Sequence, residues 1–198
     1  LAKYNSAIDE NYLTEAFVFV INALLQQERP IGLEILTQLC VENNEFSFDT
    51  DEVISVSTQE PTEQGTPDIK ISSPDKLIYV EVKDYSPVVS SQLKRYRTVL
   101  ESSGAAIKRL ILLTRFPVDF SEHKGIPDKC VCWFEIHNWL TGVKQKAQDP
   151  VSVYLIKSFM SFLEVKRMSI EKVGWEYING VRWSPKFGQV AKSGFCSY

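Results

Sequence analysis

The sequence has little of what builds the commonest small functional sites. Four cysteines in 198 residues are too few for a disulfide framework. Cys130 and Cys132 form a C-x-C inside an apolar run, with no second pair and no histidine cluster, so they read as strand residues rather than zinc ligands. The two histidines, His123 and His137, argue against a histidine-rich zinc site and against a Ser-His-Asp hydrolase. No apolar run nears the ~18 residues that a membrane-spanning helix needs. The start, Leu1-Ala2-Lys3-Tyr4, lacks the basic, apolar and small-residue order of a secretory signal. It also lacks an initiating Met, as in a processed or excised chain. No internal repeat or low-complexity tract occurs. These absences predict a soluble, cytoplasmic chain with no membrane partner, kept in a reducing compartment.

What is present is enough for one cored domain with a small appendage: 44% of the residues are hydrophobic. The net charge of −3 taken alone speaks against a protein that coats nucleic acid by bulk charge. The average hides a division. Residues 1–68 carry 2 basic and 13 acidic side chains, and residues 69–198 carry 20 basic and 12 acidic. Such asymmetry fits a polyanion partner for the basic part, or two solvated surfaces that attract each other after folding.

Along the chain, residues 11–27 predict a helix apolar nearly all round, and therefore buried. Pro30 opens a second helix over 31–41. Residues 42–52 read as a loop and 53–57 as a strand. Residues 68–72 and 77–83 alternate as two strands joined by Ser73-Pro74-Asp75-Lys76, a hairpin loop. Ser86-Pro87 reads as the cap and first turn of a helix over 88–101. Strands are predicted at 110–114 and 131–134, a short helix at 136–140, and a helix over 151–165 capped by Asp149-Pro150. Asn179-Gly180 predicts a hairpin in the tail. The fold class is α/β, with a central mixed sheet flanked by helices: a core over 1–148, and a C-terminal helix and hairpin extension over 149–198 packed on it.

The hairpin loop sets a register in which Asp68 lies opposite Glu81. Like charges across a strand pair repel and need an offset. Lys83, two residues on and on the same face, supplies one positive charge, and a divalent cation would supply two. A hard cation such as Mg²⁺ takes carboxylates, waters, phosphate and backbone oxygens, and the Val82 carbonyl is a candidate. Glu15 is the one charged residue in the apolar stretch between Leu13 and Leu25. A buried acid needs a partner, either a basic residue downstream or a metal.

Gly65-Thr66-Pro67-Asp68, twelve residues, and then Glu81-Val82-Lys83 resembles the PD-(D/E)XK nuclease superfamily, whose fold is restriction-endonuclease-like. Gln92 and Tyr96, spanning Leu93-Lys94-Arg95, resemble the Q-x-x-x-Y motif of its RecB-type branch. The helix with Asn11 and Thr14-Glu15 sits where that superfamily places a helical acid. The resemblance covers residues 11–140 and implies a nuclease. Asp68 and Glu81 would hold Mg²⁺ or Mn²⁺, with Glu15 and the Val82 carbonyl completing the shell. Lys83 would orient the attacking water or stabilise charge on phosphorus. Gln92 and Tyr96 would steady Lys83 or touch the nucleic-acid backbone, with Arg95 beside them.

The implied partner is nucleic acid, with DNA favoured over RNA. Lys94, Arg95, Arg97, Lys108 and Arg109 fit a phosphate track, and the tail interleaves basic residues with Trp175, Tyr177 and Trp183. Two other readings stand beside the nuclease: a catalytically silent binding or scaffolding module of the same fold, and one domain of a larger enzyme. Double-strand cleavage by a one-site domain would call for a homodimer.

Overall fold

Prolines mark the first turns of two helices, where a missing N–H leaves no bond unmade. Pro30 opens α2 (Arg29–Cys40) and Pro150 opens α5 (Pro150–Val165). Asp149 caps α5 by accepting from Ser152 N at 2.7 Å. The computed structural model describes residues 6–118 and 126–169. The chain divides after Met168 into two units, and every element below belongs to the first.

The remaining elements are α1 (Ser6–Gln27), β1 (Ser55–Thr58), β2 (Ile69–Ser72), β3 (Lys76–Lys83), α3 (Ser90–Ser102), β4 (Ile107–Thr114), β5 (Lys129–Cys132) and α4 (Trp133–Lys144). The five strands form one mixed sheet in the order β1-β2-β3-β4-β5. β1, β2 and β3 are antiparallel neighbours, and β4 and β5 run parallel to β3. The hairpin register is the one the loop implies: Ser72 faces Leu77 and Lys70 faces Tyr79.

Alternation in the strands sorts the core into two layers. Ile78, Val80 and Val82 of β3, with Ile111 and Leu113 of β4, pack beneath α1, α2, α4 and α5. Tyr79 and Leu110 point the other way and pack against Leu93, Tyr96 and Leu100 of α3. α1 and α2 approach closely at Gly32, where a Cβ would stand 2.8 Å from Leu25 N. Trp133 is wholly buried and meets Phe17 and Phe159 edge-on.

Several boundaries differ from the sequence expectation, each for a physical reason. α1 is not buried all round. Tyr12, Glu15 and Phe19 follow helical spacing along an exposed seam, and two of those three are aromatic, which disguises the seam as core. α3 starts at Ser90, not after Ser86. Ser86 donates its hydroxyl to Glu10 Oε2 at 2.9 Å instead of capping. Trp133 and Phe134 begin α4 rather than ending a strand, because Glu135 Oε2 accepts from Cys132 N at 2.7 Å and closes the first turn. α5, expected as part of an extension packed on the core, places Ile156, Phe159 and Leu163 in the main core. The tail hairpin lies outside the described residues.

Candidate active site

β3 is the middle strand of the sheet, so its outward-facing residues are covered on both sides. Glu81 is 1% exposed on the face shared with α3. Its Oε1 accepts from Lys83 Nζ, while its Oε2 is buried with no donor among the described residues. Burial, then the charge of Asp68, pushes the Glu81 carboxyl up to about 7 against the opposing pull of Lys83.

Asp68 lies one residue before β2, beyond the last paired residues Ile69 and Val80. Its Oδ2 accepts from Val82 N at 2.8 Å, so the side chain continues the hydrogen bonding where the strand has stopped. Its Oδ1 accepts from Gln59 Nε2 at 2.9 Å. Gln59 follows β1 with φ of 51°, a left-handed turn that swings its amide across to Asp68. Val82 thus joins the site through its N–H, and its carbonyl belongs to the same peptide strand edge.

Lys83 is paired with Glu81 and largely covered. Burial alone would lower its pKa, but the charges of Glu81, Asp68 and Glu10 outweigh burial and raise it. Glu10 reaches this point from α1. Its Oε2 accepts from Asp84 N at 2.7 Å as well as from Ser86. Sequence reasoning missed Glu10 because it placed the start of the helix at residue 11. It missed Gln59 because nothing in the pattern marks a strand-terminal glutamine. Glu15 is not the buried acid that was expected. It is exposed and accepts from the Thr58 hydroxyl. Among the described residues, no three His, Cys, Asp or Glu side chains form a metal-sized group. Asp68 and Glu81 stand as a pair.

The Gln92–Tyr96 pair does not steady Lys83. Tyr96 OH donates to Thr66 O at 2.7 Å and accepts from Gln92 Nε2 at 3.0 Å. Burial pushes the Tyr96 phenol up to about 12, so it keeps the proton it donates. Arg95 Nε donates to Gln64 O at 3.1 Å. One face of α3 therefore grips residues 64–66, the chain leading into Asp68. Gly65 has φ of 135°, and a Cβ there would lie 3.2 Å from Tyr96 Cε1. Tyr96→Phe removes a buried hydrogen bond and is expected to cost about 1 kcal/mol of stability by denaturant unfolding. An unchanged midpoint would mean the clamp holds nothing.

The expected phosphate track is mostly engaged within the molecule. Arg97 pairs with Asp128 at 2.7 Å, Lys108 donates to Glu101 O at 2.9 Å, and Arg109 pairs with Glu45. Lys94 and Arg95 remain exposed on α3. Cys130 and Cys132 lie in β5 as strand residues, the Cys130 thiol pushed up to about 12 by burial. No described helix is long and apolar enough to cross a membrane. In comparisons with known proteins, the chain matches no family model, no curated protein and no solved structure.

Proposed function

We propose that the chain is a metal-dependent phosphodiesterase of the PD-(D/E)XK type, with a restriction-endonuclease-like fold, acting on DNA. The observation that carries this reading is the buried Glu81 Oε2, which has no donor among the described residues and sits beside a second carboxylate and a charged lysine. A protein does not keep an unsatisfied buried carboxylate cheaply, and such a group beside a second acid and a lysine is a candidate for a place where a cation binds. The donor set suits a hard cation: Asp68 and Glu81 would hold Mg²⁺ or Mn²⁺ with the Val82 carbonyl, leaving water and phosphate to fill the rest. What such an ion supplies is a polarised phosphate and a more acidic bound water.

The chain's own residues do the remaining work in this reading. Lys83 offers a positive charge fixed by Glu81, Asp68 and Glu10, ready for the charge that develops on the phosphoryl oxygens. Gln59 and the Val82 N–H hold the Asp68 carboxylate in one orientation before substrate arrives. Tyr96 and Gln92 keep the Gly65–Thr66 segment from drifting. The internally paired arginines favour a second reading, a silent module of the same fold.

The deciding test incubates the full chain with single- and double-stranded DNA and Mn²⁺, beside Asp68→Ala, Glu10→Gln and Glu15→Gln. Asp68→Ala should lose cleavage by about a hundredfold or more. Glu10→Gln should lose part of it, and Glu15→Gln should stay within about twofold, as for a surface change. Undiminished cleavage by Asp68→Ala removes this site from the chemistry. Absence of Mn²⁺ binding in the native chain favours the silent module.

A further inference from the structure

Lys83 ends β3 and pairs in register with Thr114, which ends β4. Two residues beyond each partner stands an exposed aromatic ring: Tyr85, 66% exposed, and Phe116, 45% exposed. Because β3 and β4 are parallel, both rings emerge at the same edge, beside Lys83. They meet edge-on with centroids 6.4 Å apart. Between them in sequence and space lies Arg115, whose guanidinium carbon sits 4.4 Å over the Tyr85 ring and 6.0 Å from that of Phe116.

Arg115 is not a mobile surface arginine. It is 9% exposed, its Nε is bound by the buried Asp84, and its Nη1 donates to Lys166 O at 2.8 Å. Its backbone N–H donates to Lys83 O at 3.1 Å, tying it to the candidate catalytic strand. A locked guanidinium therefore backs an exposed ring. Large rings left in water lose the free energy that burial would give them. Here one is also held at a fixed tilt, so a flat partner stacking on it would lose little further freedom.

We infer that Tyr85 and Phe116 form a stacking platform for an unpaired nucleobase of the strand being cut, which makes single-stranded or frayed DNA the substrate class. The inference rests on the phosphodiesterase reading for its choice of partner. Three features favour a base over an apolar peptide. The rings are flat and edge-related rather than grooved. The Arg115 guanidinium stacks on Tyr85, and Lys83 lies two residues before that ring, so both cations belong to the chain adjoining the platform. The chain runs from the acid pair into the platform: Tyr85 is four residues past Glu81, and the Arg115 N–H is bonded to the Lys83 carbonyl. Base–aromatic stacking tolerates every base, so the platform would select strandedness rather than sequence.

Two measurements separate this inference from the reading beneath it. In cleavage assays with Mn²⁺, Tyr85→Ala should raise KM for a single-stranded oligonucleotide roughly ten- to a hundredfold, the range of one lost stacking contact. Its kcat should hold within about twofold, and Tyr85→Trp should restore KM. A purely structural role would instead lower kcat and stability together. Equal KM for the native chain, Tyr85→Ala and Phe116→Ala overturns the platform while leaving the nuclease intact. The second measurement needs no cleavage. Oligo-dT strands carrying one 2-aminopurine at successive positions are titrated with the full chain and with Tyr85→Ala. Quenching at a subset of positions by the native chain alone supports the platform, even if the protein proves silent. No quenching, or equal quenching by both proteins, overturns it.

Discussion

Glu81→Gln is expected to raise the thermal stability of the metal-free protein while abolishing its cleavage. The carboxyl sits near 4.5 in an unfolded chain and near 7 in the folded one. Between those values the folded state binds more protons than the unfolded state, so stability falls as pH rises and the full penalty is in place above about pH 7. A shift of that size corresponds to about 3 kcal/mol. Glutamine carries no charge, can still accept from Lys83, and can donate to Asp68 where the ionised acid cannot. At this chain length each kcal/mol moves the midpoint by roughly 2–4 °C. Melting curves at about pH 8 should place the variant several degrees above the native chain, and the gap should close by about pH 4.5. Mn²⁺ should raise the native midpoint and leave the variant unmoved, because only the native chain gains from binding it. Cleavage should fall by about a hundredfold or more. A variant that melts lower than the native chain at both pH values would show that Glu81 stabilises the fold rather than serving a ligand.

The opposite result is expected for Lys83→Met. Methionine matches the length of the stem but leaves Glu81 and Asp68 without their nearest cation. Removing one member of a buried pair costs about 3–5 kcal/mol when the survivor stays charged. The survivor here can take a proton, so the cost depends on pH. Without Lys83 the Glu81 pKa rises further, so the loss of stability is small below about pH 7 and grows as pH climbs from there through the raised value. Denaturant midpoints at about pH 5.5 and about pH 8 should therefore diverge far more for Lys83→Met than for the native chain. Adding Glu81→Gln to Lys83→Met should recover most of the loss, a strongly non-additive pair. Cleavage should drop by about 10²–10³-fold in kcat, as for other single groups that meet transition-state charge. If the double variant is as unstable as Lys83→Met alone, the two side chains are not coupled and the site is misread.

The parts of the fold visible in the sequence are those governed by local spacing. Alternation in β2 and β3, a four-residue loop and two first-turn prolines were enough for the hairpin register and the helices around it. The expected Asp68–Glu81 rung is not formed: pairing stops at Ile69 and Val80, and the Asp68 side chain takes the Val82 N–H instead. What the sequence hid came from contacts made at a distance. Glu10 lies 74 residues from the Asp84 amide it binds, and no spacing rule connects them. Glu15 was misread because hydrophobic periodicity counts Phe19 as core, although it faces water as the neighbouring Tyr12 does. Tyr96 was visible as a motif residue, but its partner was not. A helical phenol can reach a neighbouring helix, a strand or a loop, and only the packing of α3 decides that it holds Thr66.

The grip of Tyr96 on the Thr66 carbonyl also bears on how the site comes together as the chain folds. Asp68, Glu81, Lys83 and Tyr96 all lie in a segment that closes on itself over 30 residues, from Thr66 to Tyr96. Closing a loop of that length loses less chain entropy than closing one more than twice as long. The Glu10 contacts with Asp84 and Ser86 close loops of 74 and 76 residues. The acid pair, its lysine and the clamp can thus be assembled by the β2–β3–α3 segment as an early local unit. Docking of the N-terminal helix closes the longer loops and adds the negative charge of Glu10 at the strand end. Without that helix, Lys83 would have only Glu81 and Asp68 among the acids that raise its pKa.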